Sequence, residues 1–123
     1  MLPEVSVEQG GNVLVVRLSG ELDVTSEARL RSIVTDHVAG ATTDVVIDLA
    51  GVTFIDSTAL GVIIALTRQT RHAGRDVFLG GAGAQVQRVF QVTQLDRYFQ
   101  MFPDVPSAMA AAGAAGSGST PGG

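Results

Sequence analysis

The chain has 123 residues, 46% of them apolar and 16% charged, which suffices for one core but not two and lacks the excess of like charge that keeps a chain unfolded. Twelve acidic against eight basic side chains leave a net charge of −4, and the basic residues are all Arg and scattered, so a nucleic-acid backbone is not an expected partner. With no cysteine, disulfides, iron–sulfur clusters and thiolate zinc sites are excluded. The N-terminal MLPEVSVEQGG lacks the basic start and apolar middle of a secretory signal. The longest apolar run, Ala59 to Leu66, is interrupted by Gly61 and is too short to span a membrane. A soluble, cytoplasmic protein is expected.

Val5 to Glu8 alternates, Gln9 to Asn12 (QGGN) supplies a glycine-rich turn, and Val13 to Leu18 resumes as a strand, which predicts an antiparallel hairpin. After Gly20-Glu21-Leu22-Asp23, Leu30, Ile33, Val34 and Val38 recur at helical spacing, with Glu27 and Arg31 four apart on the outer side. Gly40 stands where that helix is expected to end. Asp44 to Leu49 (DVVIDL) reads as a central strand buried on both faces. A second helix is expected from about Thr58 to Ala73, with Leu60, Ile63, Ile64 and Leu66 inward and Arg68, Arg71 and His72 in its last turns. Asp76 to Leu79 predicts a third buried strand, Gly80 to Gly83 (GGAG) a tight loop, and Ala84 to Gln91 a short helix burying Val86, Val89 and Phe90. Tyr98 to Phe102 is the expected last strand, and Asp104 caps a terminal helix with Pro106 in its first turn.

This order implies an α/β fold: a mixed, mostly parallel sheet of about five strands with about four helices packed on it and right-handed crossovers. The domain is expected over residues 1–112, with a flexible Gly/Ser/Ala-rich tail over 113–123 that has no side chains to bury. Three junctions, Gly20 to Val24, Phe54 to Thr58 and Gly80 to Ala84, are expected to share one edge beyond the strand ends.

The segment FIDSTALG, Phe54 to Gly61, carries the most chemistry. Ser57 has two readings: a helix cap that accepts a hydrogen bond from a free N–H, or a phosphate acceptor whose modification the helix N-terminus tolerates. A nucleophilic role lacks its surroundings, because I-D-S-T-A is not a G-x-S-x-G elbow and the two histidines, His37 and His72, sit late in expected helices. Asp23, Asp44, Asp48 and Asp56 match no calcium-loop or His-carboxylate pattern. Asp23 and Asp56 each open a helix, so both read as caps, or as carboxylates that set the acidic surroundings of Ser57. The GGAGA loop lacks the spacing of a dinucleotide fingerprint and the Lys of a P-loop, so a tight turn stands beside a small nucleotide site there, with Gly81 the residue in question. Ala59 to Leu66 reads as core, but Leu60, Gly61 and Ile64 are expected to leave an apolar docking patch beside Ser57.

GELD (Gly20–Asp23), VVIDLAGVTFIDSTALGVI (Val45–Ile63) and the final strand with its short helix resemble the STAS domain, and within it the bacterial anti-sigma-factor antagonists. The resemblance runs from about Val5 to Ala111, and its specific part is D-S-T-A-L after a Val/Ile-rich strand. It implies a non-enzymatic switch without a cofactor or bound metal. The unphosphorylated antagonist binds an anti-sigma factor, itself a serine/threonine kinase, and so releases a sigma factor. The kinase then phosphorylates the motif serine, which matches Ser57, with Thr58 the secondary candidate, and a metal-dependent phosphatase restores it. Glu21, Asp23, Asp56, Ser57, Thr58, Leu60, Gly61, Ile64 and Gly81 are the expected partner-binding residues. The absence of a second domain points to a free-standing antagonist, expected to be a monomer when free and to contact neither nucleic acid nor membrane. A scaffold of a stress-signalling complex shares the motif and stays open beside it.

Overall fold

The computed structural model describes residues 4–38 and 43–117. Strands β1 (Glu4–Gly10) and β2 (Val13–Leu22) form the expected antiparallel hairpin, with Gly10 opposite Val13 and Glu4 opposite Ser19. Its turn uses Gly11, whose φ of +67° is a left-handed backbone that a Cβ disfavours. The Gln9 side-chain amide donates to the Gly11 and Val13 carbonyls, both at 3.0 Å, and braces the turn.

From β2 onward the sheet is parallel. β3 (Asp44–Ile55) pairs with β2, β4 (Val77–Gly80) with β3, and β5 (Gln100–Phe102) with β4, giving the order β1-β2-β3-β4-β5. Helices α1 (Glu27–Ile33), α2 (Ser57–His72) and α3 (Ala84–Val92) follow β2, β3 and β4, and α4 (Val105–Ser117) follows β5.

Strand alternation divides the core by sheet face. Leu14, Val16, Val45, Ile47, Val77 and Leu79 pack with Leu30, Ile63, Leu66, Val86 and Phe90 of the first three helices. The intervening Val13, Val15, Val46 and Phe78 form a second cluster with Ala108 and Ala112 of α4. The contact of α4 with β4 is tight: a Cβ at Gly80 would lie 2.9 Å from the Asp104 carbonyl oxygen and 3.1 Å from the Ala108 Cβ. As expected, Glu27 pairs with Arg31 at 2.6 Å, and the Asp104 carboxylate accepts from the Ser107 N–H at 2.7 Å.

Several boundaries differ from expectation. β3 continues well past Leu49, because the Ala50-Gly51 step is absorbed by a register shift in its pairing with β2 between Arg17 and Ser19, and a second shift between Gly20 and Glu21 takes up Thr53. A Cβ at Gly51 would stand 2.8 Å from the Ser19 Cβ, so glycine there permits the strands to approach rather than ending one. β5 begins only at Gln100, since the Tyr98 and Phe99 N–H groups donate to the Leu95 carbonyl within a turn. The first helix passes into a π-turn over Val34–Val38, and Gly40 lies outside the described residues. α4 runs to Ser117, past the Gly113 at which a tail was expected to begin, and the remaining tail residues also lie outside the described part.

Candidate functional site

β2 and β3 outrun their neighbours. The last β3–β4 pair is Asp48 with Gly80, whereas β2 and β3 continue together to Glu21 with Phe54 and Leu22 with Ile55. The result is a two-stranded arm whose tip is closed by the Asp56 N–H donating to the Leu22 carbonyl at 3.0 Å. That bond places the starts of the two following helical segments side by side.

Each segment opens on an aspartate with extended backbone. Asp56 is the N-cap of α2, and its Oδ1 accepts from the Ala59 N–H at 3.0 Å. Asp23 caps the turn Val24–Ser26 through Oδ1, which accepts from the Thr25 N–H at 2.9 Å, while the Ser26 hydroxyl accepts from the Asp23 N–H at 2.9 Å. The Thr25 hydroxyl also donates to Oδ1. That bond above all, followed after a smaller opposing effect of burial by the backbone N–H bonds, holds the Asp23 carboxyl below its usual range. Both aspartates are thus the caps their positions predicted.

Ser57 is not the cap. It is the first residue inside α2, exposed, and its hydroxyl makes no hydrogen bond among the described residues. The extended backbone that capping requires belongs to Asp56, fixed there by its bond to Leu22, so Ser57 is left without a capping role. Thr58 is half-buried beside it.

The expected apolar patch is differently composed. Leu60 is 5% exposed and belongs to the core with Ala59 and Ile63, because this side of α2 faces the sheet. Ile64 is partly buried, and Gly61 is exposed with open space where a Cβ would point. The exposed large apolar side chains on the tip segments are instead Phe54, at 50%, and Val24, at 64%. Sequence reasoning missed both, although the signal was present: Ile55 is the inward residue of the Phe54-Ile55 pair, and its neighbour must point away from the core. Glu21, the register partner of Phe54, is exposed as expected.

Gly81 does not join this group. Its φ is +79°, its N–H donates to the Phe102 carbonyl at 3.2 Å, and a Cβ there would lie 3.2 Å from the Ala50 Cβ. At about 3.3 Å per strand residue, Ala50 stands roughly 15 Å short of the arm's tip. The third junction therefore sits at a different level from the other two, and the Gly81 amide that a phosphate would need is already engaged. The adjoining cavity, of about 240 Å³, is lined by Ala82, Gln87, Gln91, Asp96, Met101, Phe102 and Pro103 without a basic residue, and it is smaller than ordinary ligand sites.

Neither histidine lies on the segments that form the tip. His37 is exposed in the π-turn, and His72 ends α2, roughly 22 Å along the helix from Ser57. No group of three or more His, Cys, Asp or Glu among the described residues is placed to hold a metal ion. The tip offers an exposed hydroxyl, two cap carboxylates and two outward apolar side chains.

The family model of the STAS domain matches residues 4–108. The chain belongs to the STAS domain family. Among its relatives, the anti-sigma-B factor antagonist of Staphylococcus aureus is 28% identical over 80 residues, covering 65% of this chain and 74% of that protein. An anti-sigma factor antagonist from Mycobacterium paratuberculosis superposes with a TM-score of 0.79 at 28% identity, over 90% of this chain and 94% of that one. The phosphorylated form of the Bacillus cell fate determinant SpoIIAA shares the fold, with a TM-score of 0.67 at 24% identity over 88% and 98% of the two chains. No helix among the described residues of this STAS domain is long and apolar enough to cross a membrane.

Proposed function

We propose that this STAS domain is an anti-sigma-factor antagonist whose binding is switched by phosphorylation of Ser57. The observation that carries the reading is the exposed Ser57 hydroxyl, free of any capping duty because Asp56 performs it. The relatives named as anti-sigma antagonists support the role. Unphosphorylated, the domain occupies an anti-sigma factor with serine/threonine kinase activity, and a sigma factor is released in the cytoplasm. The kinase transfers the γ-phosphoryl group of ATP to the Ser57 oxygen, the hydroxyl proton leaves, and ADP departs. A metal-dependent serine phosphatase hydrolyses the ester and restores the binding form. The domain itself acts by binding and not by catalysis.

Phosphate adds about −1.5 to −2 charges and three acceptor oxygens. Here it arrives beside Asp56 and near Asp23 and Glu21, with no Arg in Glu21 to Ser26 or Thr53 to Leu60 to neutralise it. A loss of about 3 kcal/mol of binding lowers affinity about a hundredfold. Intact mass before and after incubation with the cognate kinase and ATP tests the reading. One phosphate mapped to Ser57 and absent from Ser57→Ala is expected. A phosphate mapped elsewhere, or a Ser57→Asp variant that binds the kinase as tightly as wild type, contradicts it.

A further inference from the structure

We propose that a second copy of this chain pairs with the outer edge of β1, the two β1 strands lying antiparallel about a two-fold axis at Val7. The sheet ends in β1 on one side and β5 on the other. Edge strands expose a row of unpaired N–H and C=O groups, which proteins ordinarily blunt by shortness, proline, lysine or a bulge. β5 is three residues long and is followed at once by Pro103. β1 has none of these devices: it runs for seven residues, EVSVEQG, without proline or lysine, and its register with β2 is unbroken from Glu4 to Gly10. Among the described residues β2 is its only strand partner.

The occupant follows from the order of side chains along the strand. Val5 and Val7 pack against the core on the helix side, so alternation turns Glu4, Ser6 and Glu8 to the other face. A two-fold axis perpendicular to the sheet keeps each face on its own side, so opposed residues share a face and the axis falls on a residue. Placed on Ser6, the axis sets Glu4 of each copy against Glu8 of the other; placed on Glu8, it sets the two Glu8 side chains against each other. Placed on Val7, it overlaps all seven residues and no like charges meet: Ser6 faces Glu8, Val5 faces Gln9, Glu4 faces Gly10, and Val7 faces its own copy. The Glu8 carboxylate is already met by Arg17 of β2 in an ion pair, which leaves little charge on the edge to repel a second strand. β1 and β2 are antiparallel, so this pairing turns β2 and β3 of the two copies in opposite directions. The two Ser57 residues then stand at opposite ends of one continuous sheet. The inference is independent of the role proposed for Ser57.

The test is sedimentation equilibrium on the whole chain, together with cross-linking of single-cysteine variants, which report the pairing directly because the chain has no cysteine of its own. In place of the monomer expected from the sequence, the wild-type chain should pass from monomer to dimer between about 10 µM and about 1 mM, the range of a small interface. Opposed residues of paired strands have Cα atoms about 4.5–5.5 Å apart, a separation that a disulfide spans. Under mild oxidation, Val7→Cys should therefore form a covalent dimer at least about tenfold faster than Val92→Cys, whose site is 75% exposed at the end of α3. Ser6→Glu sets a carboxylate against Glu8 on both sides of the axis and should weaken the association about tenfold; Ser6 is exposed, so this variant should melt with wild type. A wild-type chain that sediments as a monomer throughout overturns the proposal. A dimer that Ser6→Glu leaves unchanged, or in which Val7→Cys cross-links no faster than Val92→Cys, also overturns it, by placing the contact on another surface.

Discussion

Asp56 caps α2 through Oδ1, and two substitutions separate that role from the one proposed for its charge toward a partner. Asp56→Ala removes the acceptor that holds the Ala59 N–H at 3.0 Å. Such a loss costs about 1 kcal/mol, within a range of about 0.5–2. The rest of α2 stays anchored by Ala59, Leu60, Val62, Ile63 and Leu66, so the cap alone is lost and the melting temperature should fall by about 4 °C for a domain of this size. Asp56→Asn keeps a capping oxygen and should melt within about 1 °C of wild type. Binding sorts the same variants differently. Both abolish the charge, so if Oδ2 meets a cation of the partner, both should bind the anti-sigma factor about tenfold more weakly. Circular-dichroism melts and calorimetry on the three proteins suffice. An Asp56→Asn protein that melts as low as Asp56→Ala refutes the capping argument, and one that binds like wild type refutes the role of the charge.

Gly80→Ala pushes a Cβ to 2.9 Å from the Asp104 carbonyl oxygen and 3.0 Å from the Val105 Cα, both backbone atoms, so urea melts should show a loss of about 2 kcal/mol. Gly61→Ala meets nothing within 4 Å and should gain about 0.5–1 kcal/mol in the same experiment; a loss there would mean that α2 is more closely covered than its exposure indicates. Thr25→Val removes the foremost hydrogen bond that lowers the Asp23 pKa. A carboxyl lower in the folded than in the unfolded state stabilises fully above its unfolded value and ceases to do so as pH falls through the folded one. Asp23 in the variant should therefore titrate higher by carbon NMR, and acid unfolding should become less steep near that range; an unchanged titration would exclude the hydroxyl as the cause. Arg71→Ala breaks the Nε contact to Asp76 at 2.8 Å, the donation to the Tyr98 carbonyl at 2.7 Å and the stacking over the Tyr98 ring at 4.6 Å. With the pair about one-third exposed, a loss of about 1–2 kcal/mol is expected, and Arg71→Lys should recover little of it, because an ammonium cannot make all three contacts.

The parts of the fold that were legible in the sequence are those whose pattern is local. The alternation of Val5 to Glu8, the apolar centre of DVVIDL and the helical spacing after Thr58 each declare an element, and the β–α order declares the parallel sheet. The rest depends on contacts distant in sequence. Gly51 reads as a break until Ser19 is seen opposite it. Asp56 and Ser57 are both good capping residues in succession, and only the bond from Asp56 to Leu22 decides which takes the extended backbone. The start of a helix is often open, which is why Leu60 reads as part of a patch, but it belongs to the same buried cluster as Leu22 and Ile55 at the end of the β2–β3 arm. Phe54 and Ile55 are both apolar at a strand end, and only the alternation along the strand shows which of the two turns outward.

Ser57 begins α2 without holding it together, and this division of labour with Asp56 has a consequence for the phosphorylation proposed at Ser57. A serine that capped its helix would have to surrender that bond each time it was esterified, and every cycle would disturb the fold it started from. With the bond on the neighbouring side chain, a phosphate on Ser57 would leave the cap of α2 in place. Two such forms of the domain would differ in what they attract and repel, not in how firmly they are built, and the mark could be written and erased many times without wearing the page.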